Sequence, residues 1–283
     1  METRITSKTK EVVISDETRT ILIGERINPT GKKKLQECLL AGDLDLVRKE
    51  AIEQTEAGAD ILDVNVGATG VDEVALLPEA VKTIMEVTDL PLCIDSSNPK
   101  ALESALAVYE GRALVNSVTG EDASLDFVLP LVKKYDAAVI GLTMDEKGIP
   151  RTAERRIELA DRIVSRAESV GIARHDVVID CLNMPVAANP ESTTTLIEAL
   201  TYVRSELGVN MTLGASNVSF GLPDRSIING AFLAITIHLG VNCPVVDVAK
   251  VKPYILATDA LLGKDAYMRR FIQDFRKRQK AAQ

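Results

Sequence analysis

The chain has no tryptophan and two histidines, and aromatic side chains make up only 4% of its 283 residues. An aromatic platform for stacking single-stranded nucleic acid is therefore not expected. Positive charge is also scarce. Against 41 Asp and Glu stand 33 Lys and Arg, a net charge of −8 at pH 7. That balance argues against a nucleic-acid or anionic-membrane surface as the main partner. The one basic stretch, Arg269 to Lys280, closes a terminal helical pattern and reads as a solvated helix end complementing the macrodipole. The four cysteines, Cys38, Cys93, Cys181 and Cys243, lie far apart, with no CxxC and no nearby histidine pair. Neither a zinc site nor a disulfide framework is expected, and reduced thiols are the default. No apolar run approaches the ~18 residues of a membrane span. The opening METRITSKTKEVVISDE is polar and has no apolar signal-peptide core. A soluble, cytoplasmic protein is the expectation.

Beyond a polar N-terminal extension, set apart here as residues 1–19, a strand–helix alternation repeats through residues 20–283. Strands are expected at 20–26, 60–66, 90–95, 112–118, 137–143, 176–182, 211–216 and 243–249. Helices are expected at 43–58, 71–87, 98–111, 122–135, 152–171, 191–208 and 225–240, with a last one over roughly 254–278. The strands are short, apolar and rich in β-branched residues, as strands buried on both faces should be. The helices run from Asp, Ser or Asn starts to Gly stops, with Pro99 in one first turn. Such a series closes into a single-domain α/β (β/α)8 TIM barrel, typically about 250 residues long. A doubly wound open sheet is the runner-up, but no GxGxxG turn supports it.

In such barrels the site sits at the C-terminal ends of the strands. Those ends supply Glu25 and Arg26, Asp63 and Asn65, Asp95, Asn116, Thr143, Asp180, Asn217 and Asp247. Any one of them can be a helix cap or an Asx turn. A whole ring facing one mouth is harder to explain by capping. No histidine belongs to the ring; His175 falls in a loop and His238 in a helix, and both read as structural. There is no nucleophile elbow, Walker loop or HExxH. Mg²⁺ on Asp63, Asp95 and Asp180 is conceivable, but interleaved carboxamides weaken a metal site, and no metal is expected. Carboxylates and carboxamides together suit a flat, nitrogen-rich heterocycle, accepting from an amino group and an adjacent ring N–H. A pterin or purine edge fits that pattern.

Seven segments carry a resemblance: ILIGERINPTG (21–31), LDVNVG (62–67), CIDSSN (93–98), VNSV (115–118), IGLTMDEKGIP (140–150), VIDCL (178–182) and LGASNVSFGLP (213–223). In this order they resemble the pterin-binding methyltransferases that exchange methyl between methyltetrahydrofolate and a corrinoid protein. The likeness covers about residues 20–270. It extends both to stand-alone acetogen-type enzymes and to the folate module of cobalamin-dependent methionine synthase. Dihydropteroate synthases share the fold and pocket, but their pyrophosphate-bearing substrate calls for basic residues where SNVS stands.

The resemblance implies that Asp95, Asn116 and Asp180 grip the pterin. Asn217 is then the catalytic residue, contacting the methyl-bearing ring nitrogen. It further implies floor or supporting roles for Glu25, Asp63 and Asn65. Arg225 is a candidate for the carboxylate tail of the folate. Tetrahydrofolate or 5-methyltetrahydrofolate is the expected substrate, with the corrinoid carried in trans because no DxHxxG segment is present. A homodimer is expected on the same ground. Direction of transfer and the upstream methyl donor (glycine betaine or another O- or N-methyl compound among them) stay open. So do two alternatives, a dihydropteroate-synthase-like condensing enzyme and a non-catalytic folate-binding barrel. The run Lys32, Lys33, Lys34 reads as solvated, or as a guide for an acidic partner or the glutamate tail.

Overall fold

The computed structural model describes residues 1–281. It opens with an antiparallel hairpin, β1 (Glu2–Thr6) and β2 (Glu11–Ser15), and then enters the barrel. The barrel strands are β3 (Ile23–Ile27), β4 (Ile61–Val64), β5 (Leu92–Asp95), β6 (Leu114–Thr119), β7 (Ala138–Leu142), β8 (Val177–Asp180), β9 (Asn210–Thr212) and β10 (Val245–Val246). They form one parallel sheet in the order β10-β3-β4-β5-β6-β7-β8-β9. The bridges Met211–Val241 and Gly214–Val245 join its two ends, so the expected (β/α)8 barrel is what the chain builds.

Between the strands lie α1 (Lys33–Leu40) and α2 (Asp45–Ala57), then α3 (Glu73–Met85), α4 (Pro99–Val108), α5 (Asp122–Lys134), α6 (Ala153–Ser169), α7 (Ser192–Tyr202) and α8 (Arg225–His238). The chain closes with α9 (Val248–Leu261) and α10 (Arg269–Ala281). Local chemistry sets several of these starts. Asp72 caps α3 by accepting from the amides of Val74 and Ala75, and Thr152 caps α6 through Arg155 N. Asn98 caps α4 through Lys100 N, with Pro99 in the first turn, where its missing N–H costs nothing. Gly58 stops α2 in the left-handed region, at φ 96°.

Four expectations need correction. The span 31–42 holds a helix, α1, whose Leu35 and Leu39 are buried one turn apart. Strand β9 stops at Thr212, and Ala215–Ser219 form a short helical turn in place of its expected end. Strand β10 is two residues long, because Asp247 already starts α9. The single last helix is two, broken at 262–268, where Tyr267 and Met268 adopt positive φ.

The buried side chains fall into two layers that follow strand parity. Leu62, Val64, Ile94 and Val115 point outward and pack against the helices. Ile23, Ile61, Cys93, Leu114, Ala138, Ile140 and Val178 fill the barrel interior. The hairpin completes that interior, since Ile5, Val12 and Ile14 belong to the same inner cluster. Asn210 donates to Thr3 Oγ1 (2.8 Å) and to the Ile14 carbonyl (3.0 Å), which ties the hairpin to β9. The N-terminal segment thus closes the lower end of the barrel and leaves the upper end open. Ile14 is fully buried there. Ile14→Ala is expected to lower the unfolding free energy by about 2–5 kcal/mol in urea titration, with the mouth of the barrel unaffected.

Candidate functional site

In five of the barrel strands an inner residue is followed, two positions on, by a polar one, whereas in β7 Ile140 is followed by Leu142. In β4 the step runs from Ile61 to Asp63, in β5 from Cys93 to Asp95 and in β6 from Leu114 to Asn116. Val178 to Asp180 in β8 and Ile23 to Glu25 in β3 repeat it. A period of two keeps each polar side chain on the inner face while moving it toward the C-terminal mouth. All five line one cavity of ≈ 630 Å³. Asp95 and Asn116 stand side by side in register.

Hydrogen bonds fix these groups before any ligand arrives. Asn116 Nδ2 donates to Asp63 Oδ1 (3.0 Å), and Asn65 Nδ2 donates to Asp95 Oδ2 (2.9 Å). Asn65 is in turn held by Gly67 N, which donates to its Oδ1 at 2.7 Å. These bonds use neither Asp95 Oδ1 nor Asn116 Oδ1. Asp180 Oδ1 accepts from Leu182 N at 2.7 Å, and Leu182 adopts φ 56° to present that amide. Behind this turn lies Arg156, buried at 1% exposure, which donates to the carbonyls of Cys181 (3.1 Å) and Leu182 (2.7 Å). The backbone that carries Asp180 is thereby clamped from the core side.

Burial dominates the electrostatics. Desolvation pushes Asp180 up to about 7, against which the Leu182 and Gly214 amides and Arg156 pull down. Asp63 and Asp95 are both raised, first by desolvation; Asp95 is raised further by the nearby Asp63 charge. Such a pair favours keeping a proton between its members. Glu25 is raised by burial and opposed by its Ser216 hydrogen bond. Near neutrality the mouth is thus an acid-lined cavity that carries protons, not a bare cluster of negative charge.

The rim carries Asn217. It lies in the turn after β9 with its side chain exposed, and its backbone N–H donates to Gly214 O at 3.2 Å. Ser216 Oγ donates to Glu25 Oε1 (2.7 Å), which ties this turn to β3. Asn183, buried behind it, bridges Gly214 O (3.1 Å) and Val218 N (2.9 Å) in the amide orientation that satisfies both. Arg225 donates from Nε to Ser219 Oγ (2.9 Å) and from Nη2 to Ser216 O (2.8 Å). Its guanidinium also sits 4.8 Å from the centroid of the Phe220 ring.

The structure therefore gathers Glu25, Asp63, Asp95, Asn116, Asp180, Asn217 and Arg225 around one cavity. Asn65 stands behind it, reaching it only through Asp95. Arg225 lines the wall, with its donors engaged in bracing the Asn217 turn. Asp247, noted only as a strand end, also lines the cavity. Its Oδ2 pairs with Lys250 (2.7 Å), while its Oδ1 is buried and without a partner among the described residues. Ser216, Lys32 and Lys250 line it too, and their sequence signal is only proximity to a strand end. Neither histidine does. Among the described residues no group of three or more His, Cys, Asp or Glu is placed to hold a metal ion, the three aspartates included.

A raised carboxyl pKa has a consequence for stability. The folded chain favours neutral Asp180, so its contribution is full below about pH 4 and is lost as pH rises through about 7. Asp180→Asn keeps an acceptor for Leu182 N without the buried charge. It is expected to raise the melting temperature by a few degrees at pH 8, and not at pH 5, in thermal scans of the unliganded protein.

Comparison with known proteins agrees with this geometry. Residues 24–247 match the family described as pterin binding enzyme. The methylcorrinoid:tetrahydrofolate methyltransferase of Eubacterium limosum is 33% identical over 264 residues, which is 90% of this chain and 96% of that protein. The methionine synthase of Mycobacterium leprae (strain TN) is 32% identical over 265 residues, 89% of this chain but 22% of the longer enzyme. Among solved structures, the dihydropteroate synthase of Yersinia pestis aligns with 92% of this chain and 98% of its own at a TM-score of 0.67. Its sequence identity is 16%, so that likeness speaks for the barrel alone. The matched stretch runs from Gly24 in β3 to Asp247 just after β10, the full circuit of the barrel, and the chain belongs to the pterin binding enzyme family.

Proposed function

We propose that this chain is a methyltransferase that moves a methyl group between N5 of 5-methyltetrahydrofolate and the cobalt of a corrinoid carried by a separate protein. The observation that carries the reading is the inward ring of Asp95, Asn116 and Asp180, in a chain so similar, over nearly its whole length, to a methylcorrinoid:tetrahydrofolate methyltransferase. An ionised carboxylate accepts from the 2-amino group and adjacent ring N–H of a pterin in fork geometry, and Asn116 Oδ1 adds an acceptor. Asp63 and Asn65 hold Asn116 and Asp95 in place, and Glu25 steadies the Asn217 turn through Ser216. Arg225 braces the same turn.

Transfer toward the corrinoid breaks the N5–CH₃ bond. The methyl carbon joins the electron-rich cobalt, N5 keeps the bonding electrons it would otherwise hold as an amide anion, and one proton is delivered to N5. The reverse reaction removes that proton. An asparagine does not titrate near neutrality, so Asn217 acts by a hydrogen bond that strengthens as charge changes on N5. The proton reaches N5 through water at the open mouth, because the carboxylates that grip the pterin are ionised in the complex. The corrinoid partner docks over the open mouth.

The setting we propose is the cytoplasm, with all four cysteines free thiols. Among the described residues no helix is long and apolar enough to cross a membrane. A homodimer belongs to the same reading, and exposed Leu261 at the end of α9, with Tyr267 and Met268 just before α10, offers apolar surface for it.

Purified protein mixed anaerobically with methyltetrahydrofolate and cob(I)alamin should convert the cob(I) absorption band into the methylcobalamin spectrum. Protein-independent conversion, with condensation of a pterin pyrophosphate and an aromatic amine instead, would move the chain to the synthase reading. Asn217→Ala should lower kcat by about 10²-fold while the dissociation constant for methyltetrahydrofolate changes less than threefold, as roughly expected for loss of one transition-state hydrogen bond. Equal losses in both constants would remove Asn217 from that role.

A further inference from the structure

The cations of the mouth are unevenly placed. Those lining the cavity, Arg26, Lys32, Arg225 and Lys250, all come from β3 or from the segments following β3, β9 and β10. These three strands are neighbours around the barrel. Strands β4 to β7 contribute no Lys or Arg to the lining among the described residues. Two of the helices above that opposite sector begin with acid, Asp72 and Glu73 at α3, Glu121 and Asp122 at α5, while α4 between them has no acid in its first turn.

Helix α1 is the contrast. It starts at Lys33 behind Lys32, with no side-chain cap and no acidic residue in its first turn. Lys32 donates from Nζ to the carbonyl of Arg26 at 2.6 Å, a neutral partner, with Glu50, Glu25 and Asp247 nearby but no direct ion pair. Lys33 is 90% exposed and only 3.9 Å from Glu37. Lys34 is exposed as well. By comparison Arg26 is held by Glu50 at 2.6 Å, and Arg225 by the Asn217 turn. In a chain of net charge −8, a half-buried lysine in the cavity wall thus continues into two exposed lysines on the rim, Lys33 in a long contact with Glu37 and Lys34 in no ion pair among the described residues.

We propose that the β10–β3 sector of the mouth is a subsite for the poly-γ-glutamate tail of a folate, with Lys32, Lys33, Lys34 and Lys250 facing its carboxylates. The inference rests on the folate reading above. With the pterin held by the carboxylates of β5, β6 and β8, the aminobenzoyl-glutamate arm leaves through the open mouth. Departure over α3 or α5 would bring its carboxylates against Asp72, Glu73 and Asp122, whereas departure over α1 meets Lys32, Lys33 and Lys34 first, with Glu37 one turn farther on. Each added glutamate gains a solvent-exposed ion pair, a small increment that falls with salt.

The test compares the dissociation constants of 5-methyltetrahydrofolate carrying one or three glutamates, at low and high salt, with a tail-less tetrahydropterin as reporter of the ring pocket. The triglutamate should bind roughly tenfold more tightly at low salt, as two or three exposed ion pairs allow. Lys33→Glu/Lys34→Glu should bring that ratio to about 1 or below, and Lys250→Glu should reduce it. Equal affinity for the two chain lengths in the unaltered protein, with the tetrahydropterin bound, overturns the subsite and leaves the folate reading standing. No binding of the tetrahydropterin overturns both. A preserved chain-length ratio in Lys33→Glu/Lys34→Glu, accompanied by a raised KM for the corrinoid protein, also overturns the subsite and gives this rim to the partner.

Discussion

Burial of carboxylates on the inner face of a closed sheet is the constraint from which the rest follows. A barrel offers its interior side chains no water, so an Asp or Glu there costs free energy unless it is hydrogen-bonded, paired or protonated. This chain uses all three. Asn116 and Asn65 donate to Asp63 and Asp95, backbone amides satisfy Asp180, and desolvation raises the carboxyl pKa values until protons are held near neutrality. The result is a preorganised set of acceptors whose cost is met by a ligand that brings its own donors. A pterin edge is such a ligand, and the cost explains why the ring is discriminating: an aromatic without those donors leaves buried carboxylates unpaired.

The two ends of the barrel divide the labour. At the lower end the hairpin closes the interior with Ile5, Val12 and Ile14, and stability rests there on apolar packing. At the upper end the polar ring is backed by supports that never touch the cavity, among them Arg156 under the Asp180 turn and Asn183 under the Asn217 turn. These supports let the reacting groups sit on short strand ends and turns while keeping their positions. Asn217 is the exception in this rigid frame, exposed on a turn braced on one side by Ser216–Glu25 and on the other by Arg225. In the reaction we propose, methyl transfer between two bulky partners needs one polar contact that can follow the ring nitrogen, and we assign that contact to Asn217.

Much of this was legible in the sequence because parity is local. Once 60–66, 90–95 and 112–118 read as buried strands, the direction of Asp63, Asp95 and Asn116 followed from counting by two. What stayed hidden depended on contacts between distant segments. The hairpin alternates Thr3 and Ile5 with Val12 and Ile14 over two five-residue strands, a pattern too short to stand out from its polar surroundings. Asn65 has the right residue type but stands behind Asp95, a placement that only the closed barrel determines. Arg225 looked free in sequence because Ser216 and Ser219 give no sign that their oxygens turn toward it. Helix α1 was missed because its lysines and glutamate obscure two buried leucines.

The central claim, that the buried ring accepts the pterin through ionised carboxylates, predicts a proton count. Calorimetric titration of the protein with tetrahydrofolate at pH 6.5, in buffers of different ionisation enthalpy, measures protons exchanged on binding. With Asp180 near pKa 7 and the Asp63–Asp95 pair raised, binding should release a substantial fraction of one proton per chain. Affinity should also climb between pH 6 and 8 and then level. Binding with no proton released, at an affinity flat across that range, would contradict the account.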